Sequence, residues 1–208
     1  MKRSLAPFAV AFAVLLALCG SMPARAQQLS EADLSKALEL LESSKKDVLA
    51  ATEGLSPAQW NFKVAPEKWS IAECMEHIAA AEDYIRGMIA EKIMLAPAAP
   101  DRDTAKIDAA IIANVEDRSH KAQAPEPIKP TNRFGSPQGS IDQFLKSRAE
   151  TESFLKDTPG LRDHAVDNPS SQGPKWDAYE FILLIGAHSE RHTKQILEVK
   201  ADPNYPKS

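Results

Sequence analysis

An all-α chain folded as a four-helix bundle is predicted by three features of the sequence. Four long stretches repeat apolar residues at helical spacing, each behind a Ser or Asp that can start a helix. The segments between them collect the prolines and glycines that stop helices. No stretch alternates apolar and polar residues as a half-buried strand does.

Ser30 starts the first helix, with Asp33 three residues on. Leu34, Leu38, Leu41, Val48 and Leu49 give it an apolar side, and Gly54 ends it. Residues 55–69 hold Pro57, Pro66, Trp60 and Trp69 and read as a loop whose tryptophans pack over one end of the bundle. Ser70-Ile71-Ala72-Glu73 is a capping box that opens the second helix. Cys74, Ile78, Ala81, Ile85 and Met88 form its buried stripe, which includes His77, and the helix runs towards Leu95 before Pro97. A weaker patch follows from Thr104 to Arg118, with Ile107, Ile111 and Val115 on one side.

Residues 122–139 carry Pro125, Pro127, Pro130 and Pro137, which rules out a continuous helix and suggests an extended loop lying across the bundle. Ser140 is read as the start of the third long helix, with Ile141, Phe144, Leu145 and Leu155 inward. Arg148 falls on that stripe, as an edge residue, a carboxylate partner or an anion ligand. Pro159-Gly160 closes this helix. The last runs from Trp176 to beyond Leu197, with Asp177 and Glu180 as its start signal and Phe181, Leu184, Ile185, Ile196 and Val199 on its apolar face. The connection between the second and third long helices is long enough to bring them parallel by a crossover.

Lys2 and Arg3, an apolar run from Leu5 to Leu18, and Ala24-Arg25-Ala26 make residues 1–26 a secretory signal peptide. The run is shorter than the about 20 residues that span a membrane, and Leu18 before Cys19 fits a lipid-attachment box poorly. The expected product is one bundle domain over 27–203 with a tail at 204–208, exported to the periplasm with no stable membrane span after cleavage. Its composition, 25 Lys and Arg against 29 Asp and Glu, is acidic and argues against nucleic acid as a partner. Cys74 is then the one cysteine left, so packing rather than a disulfide must hold the fold. A homodimer stays open.

Of the five histidines, His120 and His164 lie in polar contexts near prolines and read as surface residues. His77, His188 and His192 lie on inward faces. His188 and His192 are one turn apart, which is how a helix offers a metal two ligands. Two readings stay open from spacing alone: a shared divalent cation, or core histidines satisfied separately. Glu190, two residues after His188, is rotated away and cannot act as a zincin base.

The stretch Lys68-Trp69-Ser70-Ile71-Ala72-Glu73-Cys74-Met75-Glu76-His77-Ile78 resembles the first signature of the DinB/YfiT-like superfamily, and Ala187-His188-Ser189-Glu190-Arg191-His192-Thr193-Lys194-Gln195-Ile196 resembles its second. Residues 124–130 and 134–137 are similar to one subgroup, and the likeness spans about 30–203. This resemblance implies a four-helix bundle in an up-down-down-up arrangement, with His77, His188 and His192 holding zinc, nickel, iron or manganese. Characterised relatives include thiol-dependent transferases and isomerases, whereas an exported chain works away from the cytosolic thiol pool. The expected activity is that of a metal-dependent hydrolase or transferase on a small molecule, and the alternative is a non-catalytic metal- or ligand-binding bundle. Glu73, one turn before His77, is the candidate proton carrier, with capping as its other role. Glu76 points elsewhere, and Cys74 is read as a small buried hydrophobe.

Overall fold

A computed structural model describes residues 26–119, 123–170 and 172–207. Apart from Ala26, the leader lies outside the described residues, as do Cys19 and His120. Helix α1 covers Glu31–Thr52, capped by the Ser30 hydroxyl, which accepts from the Asp33 amide at 3.0 Å. A short helix α2, Pro57–Asn61, stands where the sequence suggested only loop. Ser56 and Gln59 build a complete capping box around Pro57, whose missing N–H costs nothing in a first turn.

Helix α3 is Ile71–Glu91 and α4 is Thr104–Glu116. Helix α5 is Pro137–Asp157, so it begins earlier than Ser140. Ser136 caps it and Pro137 occupies the first turn, so this proline begins a helix rather than breaking one. Helix α6 is Ala178–Lys200. A two-residue antiparallel pair, β1 (Ala165–Val166) and β2 (Trp176–Asp177), closes the polar loop before it.

The direction of each helix follows from contacts at its ends. Tyr179 Oη donates to the Asp33 carbonyl at 2.8 Å and Lys200 Nζ to the Ala51 carbonyl at 3.0 Å, so α1 and α6 run parallel. Gln143 reaches Asp83 at 2.7 Å and Arg86 reaches Glu150 at 2.7 Å, so α3 and α5 also run parallel. Arg162, just past α5, meets Asp33 at the start of α1. The order is therefore up, down, down, up, with α4 in the long crossover and packed against α6. The Leu40 side chain of α1 packs directly onto Gly186 of α6, where an added Cβ would come within 2.6 Å of the leucine Cγ.

The core has two apolar halves. One gathers Leu41, Ile85, Ile89, Ile111 and Phe181, the other Val48, Ile71, Met75, Phe144 and Ile196. Between them lies a polar layer built on Arg148, which is fully buried. Its Nε and Nη2 grip the two oxygens of Glu82 at 2.7 and 3.0 Å. The remaining N–H groups meet the Leu41 carbonyl, Ser44 Oγ and Ser189 Oγ, so all five donors have acceptors. Phe144 and Arg148, one turn apart, share the inward face, and Leu145, about 100° round the helix from Phe144, is exposed rather than inward. His164 is half-buried rather than on the surface, and its Nδ1 has no hydrogen-bond partner among the described residues.

Candidate metal centre

His77 comes from α3 and His188 and His192 from α6, where these antiparallel helices cross beside the polar layer. The ring centroids stand 4.8 Å apart for His77 and His188, 4.5 Å for His77 and His192, and 4.4 Å for His188 and His192. One ring nitrogen from each lies within 4.8 Å of the other two. His77 and His192 are buried, and His188 is partly exposed.

The hydrogen-bond partners fix two of the three tautomers. His77 Nδ1 lies 2.8 Å from the Ile128 carbonyl, which only accepts, so Nδ1 carries the proton and Nε2 the lone pair. His192 Nδ1 lies 2.9 Å from Gln195 Oε1, an oxygen that also accepts from Arg118 at 3.3 Å. Its Nε2 is likewise a free lone pair. His77 Nε2 sits 3.0 Å from His188 Nε2.

Electrostatics keep the rings neutral. Burial lowers the pKa of His77 and lowers those of His188 and His192 well below the ordinary value, and the crowding of the rings adds to the effect at His188 and His192. Neutral imidazoles are what a divalent metal requires. A tetrahedral zinc with bonds of about 2.0–2.1 Å separates its nitrogens by roughly 3.4 Å, which small ring rotations would reach here. The three histidines therefore form a cluster fit for a divalent cation.

Residues 40–196 match the DinB superfamily. The chain belongs to that superfamily. It is 24% identical over 166 residues to the uncharacterised protein YuaE of Bacillus subtilis (strain 168), across 78% of this chain and 96% of that one. YfiT from Bacillus subtilis has been described as "a probable metal-dependent hydrolase with an unusual four-helix bundle topology". Its structure superposes with a TM-score of 0.52 at 17% identity, covering 88% of this chain and 93% of YfiT. At that identity the likeness shows the shared fold.

Within this DinB fold, Glu73 caps α3 by accepting from the Ser70 amide at 2.7 Å, and its other oxygen meets Lys63 at 2.8 Å. Cys74 is fully buried, and burial pushes its thiol far up, which suits a packing role. Trp69 does not simply close the bundle end. Its ring lies 4.7 Å from His77 and 6.0 Å from His192 and walls one side of the cluster.

Sequence reasoning missed Ile128, Gln195 and the placement of Trp69. Gln195 had a signal, since three residues after His192 is one turn along the same face. Ile128 had none, because it acts through its backbone carbonyl.

Proposed function

We propose that this chain is an exported DinB-superfamily protein that binds a divalent metal through His77, His188 and His192 and acts as a metal-dependent hydrolase or transferase on a small molecule. The observation that carries the reading is the convergence of three neutral imidazoles, two with their Nε2 lone pairs fixed by second partners. The description of YfiT as a probable metal-dependent hydrolase supports the same class. The leader over residues 1–26 supports work in the periplasm, away from the thiol pool that a thiol transferase would draw on. Imidazole donors suit zinc, nickel and iron, and manganese remains the fourth candidate.

A cation held by three imidazoles supplies a Lewis acid with at least one coordination position left for water or substrate. The chain's own groups do the rest. Ile128 and Gln195 orient their rings, and Trp69 keeps water from one side. Glu73 is the proposed proton carrier. Its engagement by both Ser70 and Lys63 favours the second reading, a non-catalytic metal-binding bundle, if those contacts persist when substrate binds.

Elemental analysis of protein purified without chelator, set beside His188→Ala, tests the centre. One metal per parent chain and none in the variant is the expected result, and no metal in the parent overturns the proposal. Ester, amide and thiol-addition substrates then separate the readings. Metal-dependent turnover that falls in Glu73→Gln supports the enzyme, and its absence across all three classes supports the non-catalytic bundle.

A further inference from the structure

Glu76 has no part in that mechanism, yet it is 5% exposed and five hydrogen bonds converge on it. The amides of Thr131, Asn132 and Arg133 donate to its carboxylate at 2.7, 2.8 and 3.1 Å. Three successive N–H groups can face one anion because Asn132 adopts a left-handed conformation, φ 62°. Burial pushes the Glu76 carboxyl upward, but the three amides outweigh it and hold the group below the usual carboxylate range. Arg133 completes the knot. Its Nε meets Glu76 at 3.3 Å, while its two terminal nitrogens reach the carbonyls of Pro127 at 2.7 Å and Lys129 at 2.6 Å.

Those two carbonyls flank Ile128. The Ile128 side chain is buried against Ala80 and Ala81 of α3, and its carbonyl is the acceptor for His77 Nδ1. A continuous path therefore runs from Glu76 through the turn of residues 127–133 to the ring of the next residue in sequence, His77. The side chain of Glu76 cannot touch that ring from its own helix position, and the turn carries its influence round.

We infer that Glu76 is a positioning residue of the metal centre, which pins the turn of residues 127–133 to α3 so that the Ile128 carbonyl fixes the orientation and tautomer of His77. The inference rests on the metal reading above. It also gives the proline-rich segment a role, because Pro127 and Pro130 stiffen the turn whose carbonyl is used. Loop and metal are coupled reciprocally: ordering one favours the other.

Cobalt(II) is the probe, since its ligand-field absorption reports the geometry of its ligands. Glu76→Gln is expected to weaken cobalt binding about tenfold, in the range found for outer-shell partners of metal-binding histidines, and to shift the absorption bands. Arg133→Ala separates positioning from bare charge. Removing a cation near His77 should tighten metal binding by electrostatics alone, whereas loosening the turn should weaken it, and a weakening of about threefold is expected. This variant also serves if Glu76→Gln fails to fold, because Arg133 lies on the outer side of the turn. Ile111→Ala, in the other half of the core, should lower the melting temperature and leave cobalt affinity and bands unchanged. A parent that binds cobalt while Arg133→Ala binds equally or more tightly overturns the inference alone. A parent that takes up no cobalt overturns the metal reading together with it.

Discussion

Gln195 stands one helical turn beyond His192, and its Oε1 accepts from the ring's Nδ1 at 2.9 Å while Arg118 holds the same oxygen at 3.3 Å. The amide is thereby oriented from outside the bundle, and it turns the His192 Nε2 lone pair inward. Gln195→Ala leaves the ring free to rotate and to change tautomer. Zinc affinity is expected to fall at least tenfold, as for other outer-shell partners. Gln195 is half-buried at the end of the core, so the urea midpoint should barely move. Competition against a chromophoric chelator measures the first quantity and denaturation the second.

Arg148 and Glu82 carry the next prediction. Both are buried, and burial raises the Glu82 carboxyl while Arg148 opposes that rise. Glu82→Ala strands a guanidinium between two apolar layers and should cost about 3–5 kcal/mol in urea unfolding. Replacing both residues, Glu82→Leu with Arg148→Met, removes the stranded charge and should cost less than Glu82→Ala alone. A double variant less stable than the single one would contradict this account.

These two pairs show what a sequence can and cannot disclose. Helical spacing was enough to put Arg148 and the three histidines inside, because a 3.6-residue period maps directly onto a face. It also gave the caps at Ser30, Ser70 and Asp177, which are local chemistry. The partner of Arg148 is 66 residues away on another helix, and no local pattern names it. The start of α5 was misjudged because Pro137 reads as a breaker until its place in the first turn is known. The Ile128 carbonyl was illegible in principle, since every residue has one.

At the start of α6, Glu180 is wholly buried and one of its oxygens has no hydrogen-bond partner among the described residues. Asp33 of α1, Asp108 of α4, Asp177 and Glu180 share Arg102 and Arg162, with Lys36 at the edge. Burial first, and then the charge of Asp177, push Glu180 up to about 7. The folded chain thus holds this proton more tightly than the unfolded one does. The stability it contributes is full below the ordinary value of 4.5 and is lost as pH rises through about 7. Glu180→Gln should remove a slope of up to about 1.4 kcal/mol per pH unit across that window. Urea midpoints of parent and variant from pH 4.5 to 8 measure it, and parallel curves would refute the assignment.

Trp69 offers an optical test of the centre. Its ring lies against His77 and His192, whereas Trp176 packs edge-on to Phe181 in the other half of the core, and Trp60, in the same half as Trp69, makes no ring contact with these histidines among the described residues. Copper(II) or nickel(II) bound at the histidines should quench the emission of Trp69 most. Trp69→Phe keeps the aromatic wall and should remove most of the quenching while leaving metal stoichiometry at one. Equal quenching in parent and variant would put the ion somewhere else.

Protons compete with the metal for the same lone pairs. Burial lowers the pKa values of all three histidines, so the folded chain binds protons there less readily than the unfolded chain. Their neutral burial contributes stability that is present above the ordinary value of 6.5 and is lost as pH falls below it, the reverse of Glu180. Zinc should amplify this slope, because it binds the neutral rings of the folded state alone. At a hundred times its dissociation constant it should add about 2.7 kcal/mol at pH 7.5, seen as a higher melting temperature. The increment should shrink as pH falls from 6.5 towards 5 and should vanish at every pH in His188→Ala. A zinc-induced rise in melting temperature that survives in His188→Ala, or that does not change with pH, would show the ion acting away from the three imidazoles.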